Sequence, residues 1–361
     1  MTTIKLAQPM TLRELTVRNR AWVPPMCQYH VFAQDGVPED WHLVHYGALV
    51  AGGFGLIIAE STAVVPEGRI SPMCTGLWND EQTQAWKRIV DFVHSEGGAM
   101  GVQLNHAGRK ASTVPLRPGL GRGTVPEDEG GWQTVAPSPI AADGQDVPRE
   151  LTLEEVQAIP GQFAAAARRA VEAGFDTVEL HAAHGYLLHQ FLSPVTNKRD
   201  DDYGGAFEGR TRLLLEVVDA VRAELPAGVP LLVRLSATDW LPEGEGWDVE
   251  QSVRLAELLL ERGVDLMDIS TGGNVAAKIP VGPGYQVQFA DAVRKTGMPT
   301  AAVGLITDAP QAEQVLADGA ADAVLIGRAA LRNPGWATNA LHELGVDSAD
   351  LPMAGSYFRA W

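Results

Sequence analysis

Apolar residues along this chain alternate between two periodicities. Short continuous apolar or β-branched runs begin near Trp22, Leu56, Met100, Thr177, Leu231, Leu266, Thr300 and Ala323, and read as buried strands. Helix-length amphipathic stretches lie between them. Within 212–222, Leu214, Val217, Val218 and Val221 fall on one helical face. Val253, Ala256, Leu259 and Leu260 are expected to form another such face before Gly263, a helix-terminating glycine. Thr152 ahead of Leu153-Glu154-Glu155 reads as a capping box, and Thr307-Asp308 opens a helix at Ala309–Ala317.

Eight β-then-α units in about 300 residues predict an α/β chain with one (β/α)8 TIM barrel spanning 1–361. A doubly wound open sheet is the competitor, but it needs a glycine-rich turn after its first strand. Here the first strand runs into Pro24-Pro25-Met26-Cys27, and Gly119-Leu120-Gly121-Arg122-Gly123-Thr124 lacks the last glycine of that fingerprint. The interval 105–150 is oversized and rich in Gly, Pro, Asp and Glu, with Trp132 and Val135 its main apolar content. Following the third strand, it is expected to form a lid or channel wall over the strand C-terminal ends.

Composition narrows the function class. Of 361 residues, 45% are hydrophobic and 20% charged, enough for a sizeable core under an ordinary charged surface. The 28 Lys and Arg against 45 Asp and Glu give a net charge of -17, which disfavours nucleic acid and anionic membranes as partners. Two cysteines, Cys27 and Cys74, and an N-terminal stretch without a long apolar run point to a reduced, cytoplasmic protein.

In a barrel the residues just after each strand converge on one mouth. They are Pro25, Met26, Cys27 and Tyr29; Glu60 and Ser61; Gln103, His106 and Arg109; His181, His184 and Tyr186; Arg234; Ser270-Thr271-Gly272-Gly273; Val303 to Asp308; and Ile326-Gly327-Arg328. Glycine-bearing turns after strands seven and eight, with Arg328 beside them, suit a phosphate monoester. Gln103 can pair with a ring edge, and Arg234 can offset charge that appears on a reduced ring. This set fits flavin mononucleotide (FMN) better than a sugar phosphate. The two imidazoles and the phenol of Glu179-Leu180-His181-Ala182-Ala183-His184-Gly185-Tyr186 are suited to grip and protonate a carbonyl compound, although a pair of structural histidines has the same spelling. Zinc needs further ligands that no CxxC supplies, so no metal is expected. No GxSxG supplies a serine nucleophile, and the strand ends carry no Schiff-base lysine.

These residues resemble the Old Yellow Enzyme family of FMN-dependent ene-reductases. The resemblance runs nearly the whole chain. It is carried by Pro25-Met26-Cys27-Gln28-Tyr29, Gln103-Leu104-Asn105-His106-Ala107-Gly108-Arg109, His181 to Tyr186, Leu192-Ser193-Pro194-Val195-Thr196-Asn197-Lys198-Arg199-Asp200-Asp201-Asp202-Tyr203-Gly204-Gly205, and Gly327-Arg328-Ala329-Ala330-Leu331-Arg332-Asn333-Pro334. The cysteine after Pro-Met is similar to the smaller, thermophilic-like bacterial branch.

The resemblance implies that Pro24, Pro25, Met26, Cys27, Ser61, Gln103, Arg234, Gly304, Leu305, Gly327 and Arg328 bind FMN, with Cys27 tuning it. It implies that His181 and His184 hold the carbonyl oxygen of an activated alkene, that Tyr186 gives a proton to the alkene carbon opposite the hydride, and that Tyr29 lines the substrate site. NADPH is the implied reductant, with NADH as an alternative. A homodimer or a multiple of dimers is implied, in which Arg359 of the C-terminal segment, about 335–361, reaches the neighbouring site. The chain departs from the family pattern at Gly209, where Asn is usual and a side-chain contact is expected to be lost, at Ser61, and in its longer lid.

Other readings remain at this level: a quinone or nitro-compound reductase, a redox sensor acting through Cys27, or a flavin-free barrel lyase or isomerase on a sugar phosphate. A relative carrying an iron–sulfur domain is excluded, because two cysteines cannot supply four thiolates.

Overall fold

A computed structural model describes residues 4–361. An antiparallel hairpin, β1 (Met10–Leu12) and β2 (Leu15–Val17), precedes the barrel. Along the chain then come β3 (Ala21–Trp22), β4 (Leu56–Ala63) and β5 (Ala99–Asn105). The excursion carries the short strands β6 (Val135–Ala136) and β7 (Arg149–Glu150). β8 (Thr177–Ala182), β9 (Leu231–Ser236), β10 (Leu266–Ser270), β11 (Thr300–Ala302) and β12 (Ala323–Leu325) complete the set. The barrel strands are parallel in the order β3-β12-β11-β10-β9-β8-β5-β4, and a Val23–Ile57 bridge joins the two ends. There Val23 N–H donates to Leu56 O at 2.8 Å and Ile58 N–H to Val23 O at 3.0 Å. The sheet closes, so among the described residues the barrel itself has no free strand edge. Every strand expected from the apolar runs is present, and the fold is the expected TIM barrel.

The surrounding helices are α1 (Asp40–Ala51), α2 (Asp80–Ser95), α3 (Leu153–Ala173), α4 (Leu187–Leu192), α5 (Phe207–Glu224), α6 (Val249–Glu261), α7 (Val287–Arg294), α8 (Ala309–Ala317), α9 (Arg328–Arg332) and α10 (Trp336–Glu343). Thr152 and Glu155 form the expected capping box on α3, and Asp308 caps α8. The expected face of α5 is buried. That of α6 is corrected: Ser252, Leu255, Ala256 and Leu259 point inward, while Leu260 is exposed. A polar residue takes the inward position because the Ser252 hydroxyl accepts from Trp247 Nε1 at 2.7 Å and donates to Ala237 O at 2.9 Å. An apolar count cannot register that contact.

Strand alternation sorts the core into two regions. Outward residues such as Val178, Leu180, Val233, Leu235, Met267 and Ile269 pack against the helices. Inward residues fill the barrel in levels. Trp22, Leu56, Ile58, Leu232, Leu266, Ala301 and Ala323 form an apolar floor, closed from below by Met10, Leu12 and Val17 of the hairpin region. Each large aliphatic side chain so buried contributes roughly 1.5–3 kcal/mol. Above that floor the inward positions turn polar: Glu179, Arg234 and Asp268, then His181, Ser236 and Ser270.

Gly209 has a structural reason. It lies in the first turn of α5, where a Cβ would overlap the Gly204 carbonyl oxygen. The expected loss of a side-chain contact is therefore replaced by close backbone packing.

Candidate active site

Two adjoining cavities open at the C-terminal ends of the barrel strands. The larger, about 430 Å³, is lined on one side by Pro24, Pro25, Met26, Cys27 and Tyr29 following β3. Its opposite wall is His181, His184 and Tyr186 following β8, and Ser61, Gln103 and Arg234 stand between the two. The second, about 260 Å³, is bounded by Gly304, Leu305, Ile306 and Thr307 after β11 and by Gly327, Arg328 and Arg332 after β12. Arg234, Val303, Gly327 and Arg328 line both, so the two are one continuous site.

The donor triad is compact. His181 packs edge-on to His184 with ring centroids 5.2 Å apart and to Tyr186 at 4.8 Å. Ala183 N–H donates to His181 Nδ1 at 3.3 Å, which leaves the ring proton on Nε2. His184 Nε2 lies 2.7 Å from Ser270 Oγ. Burial, then the Arg234 charge, holds both imidazoles well below the usual histidine range, so both are neutral at physiological pH. Burial, with the nearby Cys27, pushes the Tyr186 phenol up, and Tyr29 shifts the same way, so each phenol keeps its proton.

Two buried His–carboxylate pairs stand behind the walls. Gly185 N–H donates to His189 Nδ1 at 3.0 Å, so the His189 proton sits on Nε2, 3.1 Å from Asp239 Oδ1. Gly185 separates His184, whose φ is 58°, from Tyr186. On the opposite wall, Gln28 N–H donates to Glu60 Oε2 at 2.9 Å, and Glu60 Oε1 lies 3.2 Å from His42 Nε2. Gln28 separates Cys27 from Tyr29, whose φ is 49°. Each wall thus has a left-handed residue, unusual for a side chain of this size, anchored by a main-chain amide held on a buried pair.

The donor chemistry suits a phosphorylated planar heterocycle. Gly304 takes φ 126° and Leu305 φ 54°, and the Gly304, Leu305 and Ile306 amides donate to no main-chain carbonyl among the described residues. With Arg328 beside them they could hold a phosphate. Arg234 Nε is buried without a hydrogen-bond partner among the described residues, as expected of a cation whose partner is a ligand or a poorly aligned acid. Gln103 Nε2 donates to Glu179 Oε1 at 2.8 Å, which fixes the amide beside the cavity.

Most residues expected from the sequence meet here: Pro24, Pro25, Met26, Cys27, Tyr29, Ser61, Gln103, His181, His184, Tyr186, Arg234, Gly304, Leu305, Gly327 and Arg328 all line the site. His106 and Arg109 do not, which corrects the strand-end inventory. His106 is buried and its Nδ1 accepts Gly108 N–H. Arg109 staples the excursion by donating to Ile140 O at 3.0 Å, Ala141 O at 3.1 Å and Asn274 O at 2.6 Å. Glu60 faces away, as described. Arg359 is exposed and lies outside both cavities of its own chain.

Other residues of the site were given no role from the sequence, Tyr285, Gln286 and Arg332 of the smaller cavity among them. Ser270 stands at a strand end, where its partner His184 could have drawn attention to it. Ile70 and Leu116 add apolar wall from loops. Lys110 Nζ donates to the carbonyls of His184, at 2.8 Å, and Gly273, and lies 5.6 Å from the Tyr186 ring centroid. Burial brings its ammonium down to about 8. No sequence signal links Lys110 to that ring.

The sequence profile of the NADH:flavin oxidoreductase / NADH oxidase family matches residues 5–346. An NADPH dehydrogenase of Listeria monocytogenes is 45% identical over 359 residues, covering 99% of both chains. Morphinone reductase is similar in structure, with a TM-score of 0.78 and 31% identity over 95% of this chain and 90% of that one. An Old Yellow Enzyme homologue from Zymomonas mobilis has a TM-score of 0.78 and 31% identity, over 95% and 94% respectively. The chain belongs to the NADH:flavin oxidoreductase / NADH oxidase family and is an FMN enzyme of the Old Yellow Enzyme type that draws electrons from a nicotinamide.

Proposed function

We propose that this enzyme is an NADPH-dependent ene-reductase that saturates the activated C=C bond of α,β-unsaturated carbonyl compounds. The observation that carries this reading is the convergence of three uncharged donors, His181, His184 and Tyr186, on a cavity whose other wall is the Pro24 to Tyr29 turn. FMN, when bound, supplies the two-electron chemistry between NADPH and the acceptor.

The residues divide the remaining work. Arg328 and the Gly304–Leu305 and Gly327 backbone hold the phosphate; Gln103 and Arg234 hold the ring edge; Pro24, Pro25, Met26, Cys27 and Ser61 pack beside the ring. The imidazole N–H groups of His181 and His184 hold the substrate's carbonyl oxygen. That oxygen gains negative charge as electrons reach the β-carbon, and preorganised donors there contribute a few kcal/mol each. Tyr186 Oη gives its proton to the α-carbon, a step general acid catalysis accelerates by roughly 10²–10⁴. Tyr29, Ile70 and Leu116 wall the substrate from water, with Leu116 supplied by the 105–150 lid.

The whole chain is read as one FMN-binding domain working in the cytoplasm. Homodimerisation through the C-terminal segment is part of this reading, supported by Tyr357, Phe358 and Trp361, which leave apolar surface exposed beside Arg359.

Anaerobic absorbance titration tests the reading. NADPH should bleach the flavin spectrum, and 2-cyclohexenone should restore it. Bleaching that only quinones or nitro compounds reverse would move the substrate class to those acceptors. Bleaching that none of these acceptors reverses would leave a redox-sensing flavoprotein. A protein that takes up no FMN would return the flavin-free lyase reading.

A further inference from the structure

Two acids lie inside the barrel between the cavity and the apolar floor. Glu179 on β8 and Asp268 on β10 are both fully buried on inward positions, one step below His181 and Ser270. Arg234, on the intervening strand β9, pairs in register with Asp268 and with His181. Its Nε comes to 2.9 Å from Asp268 Oδ2, yet out of line for a hydrogen bond, and neither Asp268 oxygen has a hydrogen-bond partner among the described residues. Glu179 Oε1 accepts from Gln103 Nε2, while Glu179 Oε2 has no hydrogen-bond partner among the described residues.

Two carboxylates therefore face one guanidinium in a layer with Leu232 and Leu266 below it and Ala301 and Ala323 beside it. Ionising both acids would leave an uncompensated charge in a low-dielectric interior, the condition under which a carboxyl keeps its proton. Asp268, beside Arg234, is the acid that gains most from ionising. Glu179 Oε2, which accepts no hydrogen bond from the described residues, is the oxygen that can carry a proton.

We propose that Glu179 and Asp268 carry one proton between them, held on Glu179, and that this proton keeps the Glu179–Arg234–Asp268 layer free of a second negative charge that would oppose the one that two-electron reduction adds to the flavin. Where pH has removed the proton, reduction draws one proton from solvent back onto Glu179. The balance is one hydride, two electrons with a proton, from NADPH to the cofactor, and one proton from water to the carboxylate, which leaves hydroxide in the solvent. The proposal rests on the cavity being the FMN site.

The groups facing the pair bear this out. Arg234 is the cation on β9, Gln103 on β5 is uncharged, and His181 above on β8 is kept neutral by burial. β11 and β12 present Ala301 and Ala323. Burial, and for Glu179 the facing Asp268, pushes both carboxyls above the ordinary range.

The test uses wild type and the isosteric Glu179→Gln variant, each with FMN bound and each stripped of it. Difference infrared spectra of wild type at neutral pH should contain the carbonyl stretch of an un-ionised carboxylic acid, and Glu179→Gln should lack it. Spectroelectrochemical titration should show that, above the pH at which that band fades, the oxidised-to-reduced equilibrium of wild type falls with pH more steeply than that of Glu179→Gln. The excess should be about tenfold per pH unit, the signature of one proton. Absence of the band from wild type, or its persistence in Glu179→Gln, would overturn the proposal, as would parallel pH slopes. Because the infrared band is also read without FMN, a failure of the flavin site itself shows separately, as wild type that retains no FMN.

Discussion

Ser270 Oγ lies 2.7 Å from His184 Nε2, and this contact decides which proton the imidazole offers. His184 is neutral, so only one ring nitrogen carries hydrogen. The Ser270 hydroxyl has a second acceptor, Gln286 Oε1, but at 3.4 Å, and that oxygen already accepts Thr271 Oγ1 at 2.6 Å. The shorter contact wins. Ser270 donates to Nε2, and the His184 proton is left on Nδ1, free for a ligand oxygen. His181 reaches the opposite state, its Nδ1 taken by Ala183 N–H.

Ser270→Ala removes that bias and lets the His184 proton move to Nε2. Binding of a phenol, whose oxygen imitates the charged oxygen of an enolate, should weaken by up to roughly tenfold, the worth of one hydrogen bond. Nitrogen NMR of labelled protein should report the tautomer change directly. Unaltered phenol affinity with an unaltered tautomer would remove Ser270 from the site.

Tyr186 and His181 separate the two halves of turnover. Tyr186→Phe should slow reoxidation by an enone by roughly 10²–10⁴ and leave reduction by NADPH unchanged. His181→Ala should weaken phenol binding, because an oxyanion donor is lost. Stopped-flow absorbance resolves both halves, and equal slowing of each by Tyr186→Phe would contradict a proton-donor role.

The sequence carried the barrel and most of its mouth because both follow from short-range rules. Continuous apolar runs marked all eight strands, and residues just beyond a barrel strand must face its C-terminal end. The rule fails where the chain turns back on itself. His106 and Arg109 follow β5 at once, yet Arg109 is drawn away to carbonyls at 140, 141 and 274. Lys110 comes back to His184 by the same loop. The buried pairs His189–Asp239 and His42–Glu60 join residues 50 and 18 positions apart, and no local pattern marks such partners.

Burial of histidines gives a pH dependence of stability. His45 is held down to about 4, by burial and then by the neighbouring His42. Unfolded, it protonates near 6.5, so below that pH the unfolded chain binds a proton that the folded chain refuses. Stability contributed by neutral His45 is full above 6.5 and is lost as pH falls towards about 4. The loss reaches at most about 1.4 kcal/mol per pH unit. Glu179 and Asp268, held up, and His94, raised by Asp176, act in the other direction, so the whole-protein slope mixes signs. His45→Gln isolates one term: relative to wild type it should gain stability between pH 7 and pH 5, by up to about 2 kcal/mol. Urea unfolding at the two pH values reads the difference, and a constant offset between the proteins would refute it.

Gly209 sets helix propensity against packing. In the first turn of α5, Gly209→Ala should stabilise by roughly 1 kcal/mol if propensity alone decides. The obstacle is backbone: the new Cβ would overlap the Gly204 carbonyl oxygen, with Asp202 O close by. That turn cannot easily yield, since Asn197 Nδ2 donates to Tyr203 O at 2.7 Å and Arg210 Nε to Gly205 O at 3.1 Å. A Cβ on Gly204 would in turn meet the Arg199 carbonyl. Overpacking against fixed atoms costs roughly 1–3 kcal/mol, which exceeds the propensity gain. Gly209→Ala should therefore melt lower than wild type, and Gly209→Asn lower still, with the flavin spectrum unchanged in both. A higher melting temperature for Gly209→Ala would mean that the turn relaxes and that the glycine is not required by packing.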